Sequence, residues 1–211
     1  MKKLLLMFLS AFMLLTFTAC GSEAVNTTAK ADSGKEAPAK QAAPQSTETA
    51  AKSGKILVAY FSCTGNTKAL AQTAADILQA DIYEIRPEVP YSSNDLNYND
   101  ETTRATVEQK DDSARPALAD KNANISAYDT IVLAYPIWWG QAPRIVDTFV
   151  ESYDFDRKTI IPICTSGGSD IGSSADYLKG LMKGAANWKE GKRFGVAAKD
   201  EVMAYLNSLG I

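Results

Sequence analysis

The chain has no histidine, and of its 211 residues only three are cysteine. Without an imidazole it cannot build a Ser-His-Asp or Cys-His catalytic set, nor a His-containing zinc site. Three thiols are too few for a disulfide framework or a structural zinc cluster. A strong charge of one sign is also missing: 22 basic against 25 acidic side chains leave a net of −3, so no broad cationic face for nucleic acid is expected. Whatever chemistry the protein performs must come from hydroxyls, carboxylates, a lone thiol or a bound cofactor.

Apolar runs long enough to span a bilayer are absent too. The longest, Leu4 to Leu15, is preceded by Lys2 and Lys3 and is too short to cross about 30 Å of hydrocarbon as a helix. That is the layout of a signal peptide, residues 1–19. The run closes on Phe17-Thr18-Ala19-Cys20-Gly21, similar to the box in which a bacterial lipoprotein carries its lipid on a new amino-terminal cysteine, although Phe17 stands where Leu is usual. Cys20 is therefore the expected lipidation site, placing the protein outside the cell on the outer face of the cell membrane. The alternative is a soluble secreted or periplasmic product cut after Ala24. Residues 21–53 hold no aromatic residue and only Val25 as a large aliphatic. They cannot offset the entropy of ordering, and with Cys20 they read as a tether with an r.m.s. length of about 30 Å.

Residues 54–211 alternate strand and helix patterns. Lys55–Ser62, Thr130–Tyr135 and Thr159–Cys164 are continuous apolar runs, as expected of strands buried on both faces, and Asp81–Pro87 is a shorter one. Between them, Asn66–Ala80 and Arg144–Tyr153 place apolar residues at helical spacing. Further helices are expected around Tyr177–Met182 and Val202–Leu209, with a weak strand within Asn187–Gly195. This alternation predicts a doubly wound parallel α/β sheet. The stretch from Glu88 to Asp129, nine acidic against four basic residues, fits least well; it reads as a long surface excursion holding a helix within Asp100–Lys110.

Ligands of open α/β sheets bind beyond the carboxyl ends of the strands, and three unusual segments fall there. Ser62-Cys63-Thr64-Gly65-Asn66-Thr67 joins the first strand to the first helix, offering hydroxyls, an amide and helix-start N–H groups to a phosphate without the spacing of a Walker loop. Pro136-Ile137-Trp138-Trp139-Gly140 sets two of the three tryptophans side by side, suited to a flat aromatic ligand. Thr165-Ser166-Gly167-Gly168 lets backbone approach a ligand closely.

Together these loops resemble the flavodoxin family across residues 54–211. Ser62–Thr67 looks like its T/S-x-T-G-x-T loop for the phosphate of flavin mononucleotide (FMN), Tyr135–Gly140 like the loop packing on the isoalloxazine ring, and Thr165–Ser169 like the second ring-contacting loop. The resemblance implies a five-stranded sheet of order 2-1-3-4-5 in three α/β/α layers. It also implies one non-covalent FMN and a redox partner, either a protein or a small electron donor or acceptor. Either indole could stack on the ring, and Tyr135 could instead be strand core. The Pro-x-Trp-Trp-Gly form is most similar to a branch that also contains reductases, so an NAD(P)H:quinone-type oxidoreductase stands as the alternative to an electron carrier. Cys63 and Cys164 lie on strands separated by a third, beyond disulfide reach, and are expected to be small buried residues beside the flavin loops.

Overall fold

The computed structural model describes residues 54–211 apart from Ala197. The expected signal peptide, the expected lipidation site Cys20 and the expected tether, residues 1–53, lie outside the described residues. Among the described residues, no helix is long and apolar enough to cross a membrane.

Strands β1 (Ile56–Tyr60), β2 (Asp81–Glu84), β3 (Thr130–Pro136), β4 (Thr159–Thr165) and β5 (Asn187–Trp188) run parallel in the order β2-β1-β3-β4-β5. Because side chains alternate across a strand, each central strand feeds two cores. Leu57, Ala59, Ile131, Leu133, Tyr135 and Ile160 face α3 (Arg144–Ser152) and α4 (Ser174–Leu181), which contribute Ile145, Val146, Phe149, Val150 and Leu178. Val58, Tyr60, Val132, Ala134, Ile161 and Ile163 face α1 (Asn66–Leu78) and α5 (Lys199–Ser208), which contribute Leu70, Ala71, Ala74, Val202 and Leu206. The expected three layers follow from this double-sided burial.

The fifth strand is interrupted. After β5 the chain leaves the sheet and rejoins β4 as β6 (Lys192–Arg193). The cause is Pro162. The carbonyls of Lys158, Ile160 and Cys164 accept from Asn187, Lys189 and Phe194 at 2.8, 2.9 and 2.9 Å, so Pro162 faces the same edge and has no N–H to give. Gly191 passes this point so closely that a Cβ there would lie 2.9 Å from Pro162 Cγ and 2.5 Å from Ile171 Cδ1.

The Glu88–Asp129 stretch is more than a surface excursion. It carries a 3-10 turn (Asn94–Leu96), the short helix α2 (Arg104–Lys110) and a second 3-10 turn (Ile125–Ala127). Pro87 and Leu118 form a bridge where the stretch leaves and returns to the sheet edge. Arg115 grips Glu151 of α3 through two bonds of 2.8 Å. Arg144, only 3% exposed, spends its donors on this region, its own helix and α4, reaching the carbonyls of Glu108 and Gln109, the carboxylates of Asp112 and Asp147, and the Tyr177 hydroxyl. The guanidinium thereby caps the carboxyl end of α2, where helix carbonyls lack partners. A surface loop reading falls short here because the buried cation that docks the segment sits 35 residues beyond Gln109 in sequence, in α3.

Candidate functional site

Beyond the carboxyl ends of β1, β3 and β4 lies a cleft of ≈ 560 Å³, within the usual range for a small-molecule site. Twelve of the fifteen residues singled out in the three loops line it: Ser62, Cys63, Thr64, Asn66, Thr67, Pro136, Ile137, Trp138, Trp139, Thr165, Ser166 and Gly167. Gly65, Gly140 and Gly168 are exposed in the same loops but do not line it, and Gly65 and Gly140 supply left-handed backbone to their turns.

At the first loop, Gly65 is the N-cap of α1 and donates its N–H to Ser62 Oγ at 3.1 Å. The first intrahelical bond runs from Ala69 N–H to the Gly65 carbonyl, no side chain caps the helix, and its first turn holds no acid. The N–H groups of Asn66, Thr67 and Lys68 therefore have no partner within the helix, and the positive end of the dipole opens on the cleft. Thr64 and Asn66 are exposed there. Thr67 differs from its neighbours: it is buried, and its hydroxyl is 2.8 Å from that of Thr165, tying the first loop to the third.

The second loop is a two-residue hairpin. Trp138 N–H donates to the Gln141 carbonyl at 2.9 Å and Gln141 N–H to the Trp138 carbonyl at 3.0 Å. Trp139 and Gly140 at the tip have φ of 47° and 80°. A type I′ turn needs this left-handed backbone at both central positions. Glycine adopts it freely, whereas a tryptophan is held there against a penalty of about 1–2 kcal/mol. The two indoles have different fates. Trp138 is wedged edge-on against Phe61 and Tyr91, at centroid distances of 5.6 and 5.4 Å. Trp139 is 45% exposed and lines the cleft. Tyr135 is strand core: fully buried, it pairs its hydroxyl with Ser174 Oγ at 3.1 Å, and burial pushes its phenol well above the ordinary range.

The third loop is braced by Ser166, whose hydroxyl donates to the Ser169 carbonyl and accepts from Gly168 N–H. Ile137 N–H donates to the Thr165 carbonyl at 2.9 Å, joining second and third loops. Both cysteines among the described residues are free. Cys164 is buried as expected, and burial pushes its thiol up to about 12. Cys63 is exposed rather than buried, because the chain turns out of the sheet at Ser62.

Six lining residues come from elsewhere: Leu96, Tyr98 and Ala105 from the Glu88–Asp129 stretch, and Phe194, Gly195 and Val196 after β6. The last three sit at the carboxyl end of a strand, where the general rule for α/β sheets points. Tyr98 is an aromatic residue in an otherwise polar run, and in the fold it is 71% exposed at the cleft.

A doubly wound sheet of this order with a three-loop cleft agrees with the comparison to known proteins, in which the sequence family described as Flavodoxin matches residues 55–209. The chain belongs to the flavodoxin family. Two crystal structures of candidate flavoproteins resemble this flavodoxin-family chain closely. One, from Bacteroides eggerthii, is 42% identical over 75% of this chain and 99% of its own, with a TM-score of 0.70. The other, from Bacteroides uniformis, is 42% identical over 73% and 98%, also with a TM-score of 0.70. A flavoprotein in complex with FMN from Lactobacillus acidophilus shares the fold at 18% identity, covering 70% of this chain and 97% of its own, with a TM-score of 0.53. No curated protein matches the chain.

Proposed function

We propose that the protein is an FMN-dependent electron carrier held by a lipid on Cys20 at the outer face of the cell membrane. The observation that carries the cofactor assignment is the pairing, across one cleft, of an uncapped helix start with an exposed indole. Three features fit FMN. The first turn of α1 offers three N–H groups and no carboxylate to a phosphate dianion. Thr64 and Asn66 add a hydroxyl and an amide beside it. Trp139 offers a flat apolar face to the ring system. FMN, when bound, supplies the one- and two-electron chemistry that a chain without histidine does not have.

The protein's own part is binding, orientation and exclusion of water. Ser62 shapes the cradle by accepting the Gly65 N–H, while Thr67 and Thr165 lock the first loop to the third. Trp138, packed edge-on against Phe61 and Tyr91, is a fixed part of the cleft lining next to Trp139. Burial holds the Cys164 thiol above its ordinary range, which disfavours the reactive thiolate.

The tether reading rests on Lys2, Lys3, the Leu4–Leu15 run and Cys20. It suits the topology, since the chain enters β1 at Gly54, at the pole opposite the cleft.

A second reading, an NAD(P)H:quinone-type oxidoreductase, is favoured by the cleft rim, where Tyr98, Trp139 and Val196 are 71%, 45% and 52% exposed. Such a rim suits a second flat apolar molecule. The protein purified from membranes should be yellow, show a flavin absorbance spectrum with one FMN per chain, and lose membrane association when Cys20→Ser is introduced. Steady NADPH oxidation with a quinone acceptor would favour the enzyme over the carrier; a colourless protein that takes up no FMN would overturn both.

A further inference from the structure

Trp139 occupies a left-handed backbone conformation that non-glycine residues seldom hold unless their surroundings impose it. Besides the two backbone bonds that close the hairpin, it is held by one residue outside the three loops. Gln109, in the last turn of α2, is only 8% exposed. Its Nε2 donates to the Trp138 carbonyl at 3.2 Å and to the Ala142 carbonyl at 2.9 Å. Those carbonyls flank the hairpin on either side. One carboxamide thus pins both ends of the turn that carries Trp139 and Gly140. Its orientation is fixed by chemistry: turned over, Oε1 would face two carbonyl oxygens. As it stands, Oε1 is buried without a partner, and such a group lowers stability. A residue present only for packing would not need that arrangement.

Gln109 is itself held from behind. Arg144 donates to its backbone carbonyl at 3.0 Å and to that of Glu108, fixing the end of α2 against α3. Arg104 and Tyr91 brace the other side, the guanidinium carbon lying 4.1 Å from the Tyr91 ring centroid while the Tyr91 ring abuts Trp138. The helix is too short to be stable alone, so its place in the fold depends on these contacts.

We infer that Gln109 is a positioning residue that holds Trp139 in its left-handed, cleft-lining conformation before a ligand arrives. The consequence for FMN rests on the reading given above: a pre-set indole spares the ordering that would otherwise accompany binding.

The test uses the flavin-stripped protein and Gln109→Met, which keeps the side chain's length, loses both donors and removes the bare Oε1. Hydrogen exchange at the Gln141 amide, which donates to the Trp138 carbonyl, should speed up on the order of 10-fold while the global unfolding midpoint holds. FMN affinity should fall by a similar factor. A Gln141 exchange rate equal to that of the unmodified protein would overturn the inference. Should Gln109→Met fail to fold, Gln109→Glu serves: a protonated carboxyl can donate once and a carboxylate cannot, so the exchange ratio to the unmodified protein should shrink as pH falls, and a ratio independent of pH would overturn the inference. If the unmodified protein binds no FMN, the proposed function falls, while the exchange data still decide the role of Gln109.

Discussion

The phosphate cradle and the tryptophan hairpin stand at the same end of the sheet but are built in different ways. The cradle is local: Ser62, Gly65 and the first turn of α1 make it within a few residues, through one side-chain bond and the backbone's own dipole. The hairpin depends on distant parts. Its strained tip is held by Gln109 from α2, its anchor ring is packed against Phe61 and Tyr91, and α2 is fixed by Arg144. A local motif survives changes elsewhere, whereas a turn assembled from distant residues can be loosened from several places.

The largest effect is expected from putting a charge in the cradle. Asn66→Asp changes little in shape but sets a carboxylate beside the phosphate, so FMN affinity should drop on the order of 100-fold, read by titration of the stripped protein. The same change should raise the stability of the flavin-free protein by about 0.5 kcal/mol, because an acid in the first turn favours the helix. Opposite signs in the two measurements would isolate the cradle from the fold.

The next effect belongs to the hairpin side and depends on pH. Asp147, fully buried beside Arg144, has its carboxyl raised to about 6, mainly by burial and in spite of the Arg144 guanidinium. Its folded form thus holds a proton that the unfolded chain has already released. Its stabilising contribution is complete below about pH 4 and is lost as pH rises to about 6, an amount on the order of 3 kcal/mol. Chemical unfolding between pH 4 and 6 should show that downward slope, and Asp147→Asn should remove it.

A smaller effect sharpens the strain argument. Trp139→Gly frees the left-handed backbone and should raise the unfolding free energy of the flavin-free protein by about 1 kcal/mol, while FMN affinity falls roughly 10-fold with the lost ring. Smallest is the contrast between two threonines. Thr64→Val should weaken FMN roughly 5-fold with no loss of stability, since Thr64 is exposed. Thr67→Val should cost about 1–2 kcal/mol of stability as well, because it strands the Thr165 hydroxyl. Equal stability of the two variants would contradict the buried pairing.

The same contrast governs what could be read from the sequence. The three long strands, the helices that follow them and the three loops were legible because apolar runs and turn residues are local signals, whereas the sheet order came only from the flavodoxin resemblance. The break of the fifth strand was not, although its cause, Pro162, stood in plain view; only the register shows that its missing N–H faces that edge. The helix of the Glu88–Asp129 stretch and its mostly exposed character are legible in its sequence, but polar composition hides the buried Gln109 and the cleft-lining Leu96, Tyr98 and Ala105. The two adjacent tryptophans look alike in sequence; both line the cleft, but Trp138 is packed edge-on against Phe61 and Tyr91 while Trp139, at the left-handed tip of the hairpin, is 45% exposed.

The central claim is that one cleft holds the FMN phosphate on the α1 start and the ring against Trp139. Titration of the flavin-stripped protein with FMN and with riboflavin, followed by tryptophan fluorescence, tests it most directly. FMN should quench with a stoichiometry of one per chain, and riboflavin, which lacks the phosphate, should bind on the order of 100-fold more weakly. Equal affinity for the two flavins, or no quenching by FMN, would contradict the account.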